Sequence, residues 1–385
     1  MRLSFAARAF AVLSLLSASA VAFAAAPIDL STREGFASAC AAAPAKAALL
    51  KSNEEKISYV ICRDTALTKQ IATWIFQGLK RMEKERNDSA TIIAEVVREI
   101  DYARGEMAVT RKVLDQVKLG KRTSLTIAPG LWELDLDSDG KVDLWEKHFF
   151  AIPRRGNHEF RFSAPSNDPA YYEREYNVNA VIKLDQSDIL WAQAYHHFLE
   201  GFLTNLRAFD LTPKFDGLII ARPELLKQAH QLIGRGMALS AEMRQSVLAE
   251  TDDDHEWIGN PKQASSVFPI PLDQADFDSW GAIMKELIAL WQGRSLLPTT
   301  ERGSGLLAEV APLCPPGMGL DIAATYQQPP PAGTRLSLGS RANLSPRHCK
   351  VIDAAHPVSS LPDLIQRAQK TDAGMRFLRY LYWTN

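Results

Sequence analysis

Apolar residues recur every three or four positions through most of this chain, a spacing that lines them along one side of a helix. Over residues 65–86 the stripe is Ile71, Trp74, Ile75, Leu79 and Met82. Asp88 is of a type that caps helix starts, and from it a longer stripe of Ile93, Val96, Val97, Ile100, Met107, Val113, Leu114 and Val117 runs to Gly120. These two helices should pack as an antiparallel pair. Further helices are predicted over 188–208, 223–234 behind Pro223, 238–250 and 276–292. The last places Trp280, Ile283, Met284, Leu287 and Trp291 on one face and stops at Gly293. A terminal helix is expected from near Pro362 toward the run FLRYLYW. Between 121 and 187 the pattern changes: SLTIA, EFRFS and AVIKL are short, strand-like runs separated by Pro, Gly and Asn, so small amounts of sheet belong there. The expected fold class is mainly α, a helical bundle-like protein with an irregular, short-strand middle region.

The start of the chain sets an expected compartment. Arg2 and Arg8 accompany the apolar run FAVLSLLSASAVAFA, which is too short and too rich in small residues to span a bilayer. A signal peptide over 1–24, cut after Ala24, is expected, and with it a periplasmic or secreted protein. Cys40 is the first cysteine and lies well past that cut, so a lipid anchor at the new N-terminus is not expected. Without residues 1–24 the chain keeps 42 Lys+Arg against 45 Asp+Glu, a net charge of −3. Neither a nucleic-acid surface nor a polybasic membrane patch fits that balance. No later stretch reaches eighteen consecutive apolar residues, so no membrane span is expected. With 46% hydrophobic residues the chain can bury a real core. Its expected parts are a helical region over 25–120, a central region over 121–298, and a Pro/Gly-rich loop with a terminal helix over 299–385.

Four cysteines in an exported chain favour disulfides over metal thiolates. The pairs local in sequence are Cys40 with Cys62 and Cys314 with Cys349. Each would constrain the unfolded chain by about 3–4 kcal/mol in the loop-entropy model. The two other pairings stay open on sequence grounds.

The stretch DLDSDGKVDLWE, residues 135–146, changes the picture most. Its acidic residues and Gly140 are spaced so that oxygens from Asp135, Asp137, Asp139, the backbone of Lys141, Asp143 and Glu146 can surround one hard dication. Gly140 sits where the chain must turn sharply, and Val142 sits at the apolar place that usually pairs with a neighbouring loop. Five carboxylates within twelve residues would repel one another unless a cation neutralised them. The stretch resembles the calcium loop of the EF-hand family. That resemblance implies Ca²⁺ as the bound ion, the six residues just named as its ligands, and an exiting helix from near Leu144 through WEKHFF. It covers only this stretch and departs on the incoming side, where Pro129 and Gly130 deny a full preceding helix. No second loop of the kind is present. In VIKLDQSDILW, residues 181–191, Asp185, Ser187 and Asp188 read as a helix cap. A lone hand is a poor sensor, and Ca²⁺ outside the cytoplasm fills even weak sites of about 10⁻⁴–10⁻³ M, so the ion is expected to be a structural clamp.

Other polar clusters carry less. His196 and Glu200 stand one helical turn apart and could supply two zinc ligands, but no third ligand stands at diagnostic spacing, and a packed, hydrogen-bonded histidine is the expected reading. TDDDHEW, residues 251–257, reads as a solvated turn, and RGSGLL, residues 302–307, as a linker. ICRDTALTKQIATWIF is similar to the cysteine-bearing helix of periplasmic lysozyme-inhibitor-like domains. The usual glutamate is displaced to Glu54 or Glu55, and no function is carried over. No nucleophile elbow, zincin helix, phosphate loop or dinucleotide fingerprint is present. The expected function is that of an exported calcium-binding protein, a binding or structural component with a protein or cell-envelope partner. The alternative is an exported hydrolase that calcium only stabilises.

Overall fold

The computed structural model describes residues 28–44, 46–84, 89–120, 124–154, 166–212, 217–298, 314–337 and 348–364. The expected signal peptide, the capping Asp88, the run EFRFS, the linker RGSGLL and the terminal helix beyond 364 lie outside these residues. The described chain is mainly α with short antiparallel strands, as its periodicity predicts.

A first helix, α1 (Arg33–Ala42), is capped by the Thr32 hydroxyl and leads to α2 (Asn53–Lys84) and α3 (Ser89–Leu114). Helix α2 starts well before residue 65 because Ser52 and Glu55 form a capping box. Glu55 N donates to Ser52 Oγ at 3.1 Å, and Ser52 N donates to Glu55 Oε2 at 3.0 Å. Arg63 Nε donates to Glu106 at 2.9 Å, while Gln70, further along α2, reaches back to Glu99, so the two helices run antiparallel. Ile71 packs with Leu67, Ala103 and Met107 between them, whereas Ile75 from the same expected stripe is exposed.

Three long helices complete the body: α6 (Gln186–Arg207), α7 (Pro223–Ala249) and α8 (Gln274–Trp291). Helix α7 is continuous, where the sequence pattern suggested two helices broken at 234–238. Glycine in a helix costs about 1 kcal/mol, but here it allows close approach. A Cβ at Gly236 would stand 3.0 Å from the Phe198 ring, and one at Gly201 would stand 2.7 Å from Ile233 Cγ1. The interface between α6 and α7 is accordingly the broadest in the molecule. Helix α8 ends as expected at Gly293, whose φ of +68° suits glycine. Gly293 N bonds to Leu290 O and Arg294 N to Ala289 O, the pair of bonds that closes a Schellman turn. Trp280 and Phe277 of α8, Leu239 and Met243 of α7, and Phe268 are fully buried.

Short helices α4 (Leu144–Lys147), α5 (Pro169–Glu175) and α9 (Ile322–Gln327) sit in the connections. Strand β1 (Leu125–Ile127) pairs antiparallel with β4 (Ile182–Leu184), which places the expected runs SLTIA and AVIKL side by side. Strands β2 (Ile152–Pro153) and β3 (Tyr176–Asn177) form a second small pair. Two three-stranded sheets follow, β5 (Phe209–Leu211) with β6 (Gly217–Ile220) and β9 (Arg335–Ser337), and β7 (Leu297–Pro298) with β8 (Met318–Leu320) and β10 (Cys349–Val351).

Both local disulfides are formed. Cys40–Cys62 ties α1 to α2, and Cys314–Cys349 anchors β10. Two disulfides fit an oxidising compartment. No helix among the described residues is long and apolar enough to cross a membrane.

Candidate functional site

Pro129 begins a single 3₁₀ turn, Pro129–Leu131, where a regular hand has its incoming helix. Gly130 is needed there, because a Cβ would meet the Val178 carbonyl oxygen at 2.4 Å. The acidic bend then folds on its own amides. Asp135 accepts from Asp139 N at 3.1 Å and from Gly140 N at 3.2 Å, and Asp139 accepts from Lys141 N at 2.9 Å. Gly140 has φ +90°, the conformation its place in the bend predicts. One carboxylate oxygen each from Asp135, Asp137 and Asp139 lies within 4.8 Å of the other two. Three hard oxygens so disposed fit a dication of calcium's preferences.

The other predicted ligands are placed differently. Glu146 is almost wholly buried and spends both oxygens on the backbone: Oε1 accepts from Leu136 N at 2.6 Å and Asp137 N at 3.2 Å, and Oε2 from Asp143 N at 2.7 Å. It closes the bend as a hydrogen-bond hub. Asp143 caps α4, Lys141 is exposed, and neither the Asp143 nor the Glu146 carboxylate joins the aspartate trio. The exiting helix begins at Leu144 as expected but lasts little more than one turn. The bend is fastened to α2, where the Thr73 hydroxyl lies 2.8 Å from the Leu136 carbonyl and 2.9 Å from Ser138 Oγ, and Lys69 Nζ stands 4.0 Å from Asp135.

Downstream of the bend, Trp145 packs on Phe76 of α2 with ring centroids 5.3 Å apart, and Phe150 meets Trp132 at 6.0 Å. Residues 149–153 form one wall of a cavity of about 730 Å³, with α2, α3, α6, β1 and β4 as the others. Its lining is almost all apolar. The pocket opens to solvent, and its walls offer water few polar partners.

The notable polar pair in the lining is Asp64 with His196. His196 Nε2 lies 2.8 Å from Asp64 Oδ2 and Nδ1 lies 2.7 Å from the Ala192 carbonyl. A carbonyl only accepts, so Nδ1 carries a proton, and the carboxylate calls for one on Nε2 as well. Burial works against the charged ring, but Asp64's charge and hydrogen bond hold the His196 pKa above its ordinary value. Glu200 turns to the Arg111 guanidinium and His197 to Asp115 at 3.2 Å. His196 and Glu200 therefore do not converge on a shared ligand position, and the packed-histidine reading describes His196.

A second acidic group gathers around the start of α6. Asp185 caps that helix, accepting from Ser187 N at 2.8 Å and Asp188 N at 3.1 Å, which bears out the capping role expected for this segment. Oxygens of Asp185, Glu250 and Glu256 lie within 4.8 Å of one another. Burial, offset in part by the Ser187 hydroxyl and reinforced by Asp185 and Glu256, pushes the Glu250 pKa up to about 8. Burial with the nearby Asp185 charge raises Asp188 well above the usual carboxylate range. Asp252, Asp253 and Asp254 are exposed as the solvated-turn reading expects, but Glu256 is buried. Local spacing does not reveal this group, because Asp185 lies far along the chain from Glu250 and Glu256.

Comparison with known proteins finds no matching family model, no matching curated protein and no matching solved structure.

Proposed function

We propose that this is an exported calcium-binding protein in which the ion clamps the 135–146 bend against α2, and that it acts as a binding component, not an enzyme. The observation that carries the reading is the convergence of Asp135, Asp137 and Asp139 around a glycine turn already fastened to Thr73. These three would hold Ca²⁺; the loop rule would add the Lys141 carbonyl and Asp143, and Glu146 would join only by giving up backbone amides that it now accepts from. The ion would supply charge neutralisation and rigidity. Export is supported by the two disulfides together with the leader-like first 24 residues. A hydrolase has less support, since both ring nitrogens of His196 are already engaged, Nδ1 by the Ala192 carbonyl and Nε2 by Asp64.

Titration calorimetry with Ca²⁺, and melting in calcium against melting in chelator, test the reading on the wild type and on Asp137→Asn with Asp139→Asn. An amide keeps the hydrogen-bond acceptor but removes the charge. One saturable site and a calcium-dependent rise in Tm, both lost in the double variant, are expected. No binding heat at millimolar Ca²⁺ would overturn the proposal.

A further inference from the structure

We propose that the cavity between α2, α6 and residues 149–153 binds one long-chain, uncharged lipid-like molecule such as a straight-chain alcohol or its ester. This goes beyond the calcium reading and stands on different residues. The volume, about 730 Å³, lies within the usual range of small-molecule sites. Ile61, Leu67, Ile71, Leu199 and Leu203 give one side of the lining, and Phe149 to Pro153 face them from across it.

The charges decide which head group is tolerated. No lysine or arginine is present among the described lining residues, so a ligand carboxylate would find no free cation. The positive charge of His196 is already met by Asp64, and both ring nitrogens have partners. A fatty-acid anion would instead be brought near the Asp64 carboxylate, in surroundings that amplify repulsion. An uncharged head incurs no such cost. Phe149 and Phe202 line the cavity and are themselves exposed, at 46% and 55%, so apolar lining reaches the outer surface.

Trp132, Trp191 and Trp257 also line the cavity, which makes the chain's own fluorescence the reporter. Dodecanol and dodecanoate are titrated into the purified mature protein in calcium at about pH 8, where the acid is ionised. The expected result is saturable one-to-one binding of dodecanol with a blue shift, and dodecanoate about tenfold weaker or worse. Ala192→Phe fills the space and should weaken dodecanol by about tenfold or more without lowering Tm. Phe202→Ser is at an exposed position and keeps the test valid should the first variant misfold; it should weaken dodecanol severalfold. Absence of saturable dodecanol binding overturns the proposal, as does dodecanoate binding equally well. Wild-type affinity in folded Ala192→Phe or in Phe202→Ser also overturns it. Loss of lipid binding with calcium binding intact would sink this inference alone, and the reverse result would sink only the calcium reading.

Discussion

The Thr73 hydroxyl donates to the carbonyl of Leu136 at 2.8 Å, a bond that helps hold the acidic bend to the side of α2. Ser138 Oγ, 2.9 Å away, shares the same hydroxyl, so Thr73 serves two residues of the bend. Thr73→Val keeps the shape and removes both bonds. It should cost about 1–2 kcal/mol of stability and weaken Ca²⁺ severalfold, read by denaturant melts and calorimetry. Unchanged calcium affinity would mean that the bend does not depend on α2.

Glu146 supports the bend through three backbone amides. Glutamine offers one acceptor oxygen where glutamate offers two, and its NH₂ would face an amide that itself donates. Glu146→Gln should therefore cost about 1–3 kcal/mol in chelator as well as in calcium. A melting loss confined to calcium would show that the carboxylate serves the ion alone.

The acidic group at the start of α6 makes a pH prediction. The Glu250 pKa rises from 4.5 to about 8 in the folded chain, so between those values the folded state holds more proton than the unfolded state. Stability contributed by this group is therefore full below about pH 4.5 and is lost as pH rises toward 8. Glu250→Gln keeps the neutral form at every pH and should raise Tm at pH 8 by about 2–4 °C, with little gain at pH 5. Melting curves at the two pH values check the sign, and a variant less stable at pH 8 would refute it.

Arg111 and Glu200 form an ion pair in which Glu200 is almost wholly buried. Removing one partner leaves the other uncompensated, so Arg111→Met should cost about 3–5 kcal/mol, while changing both to apolar residues should cost far less. A double-mutant cycle in urea measures the difference.

Much of this architecture was legible from spacing, and the exceptions have particular causes. The stripes that predicted α3, α6 and α8 work because an amphipathic helix buries one face whatever it packs against. Helix α7 defeated that reading at Gly234 and Gly236, where the close neighbours that favour a missing side chain are Trp291 of α8 for Gly234 and Phe198 and Ala194 of α6 for Gly236. Ser52 and Glu55 carry a capping signal in their spacing that marks the true start of α2. In the bend, Asp135, Asp137 and Asp139 meet as their spacing requires, whereas the role of Glu146 depends on amides whose direction no spacing reveals. The cavity was illegible in principle, since Ile71, Leu199 and Leu203 have the same periodicity whether they face a packed core or open space. The Glu250 group was illegible because its parts are brought together only by the fold.

Only Lys147 and His148 separate Glu146, which closes the bend, from Phe149, which faces the cavity. So short a span acts as a lever, and whatever stiffens the bend also sets the position of the wall. On the readings proposed above, whatever factor the ion changes the lipid affinity by, the lipid must change the ion affinity by the same factor, as thermodynamic linkage demands. Where that factor favours binding, a carrier built this way would keep its cargo latched in calcium-rich surroundings and let it go where the ion is scarce.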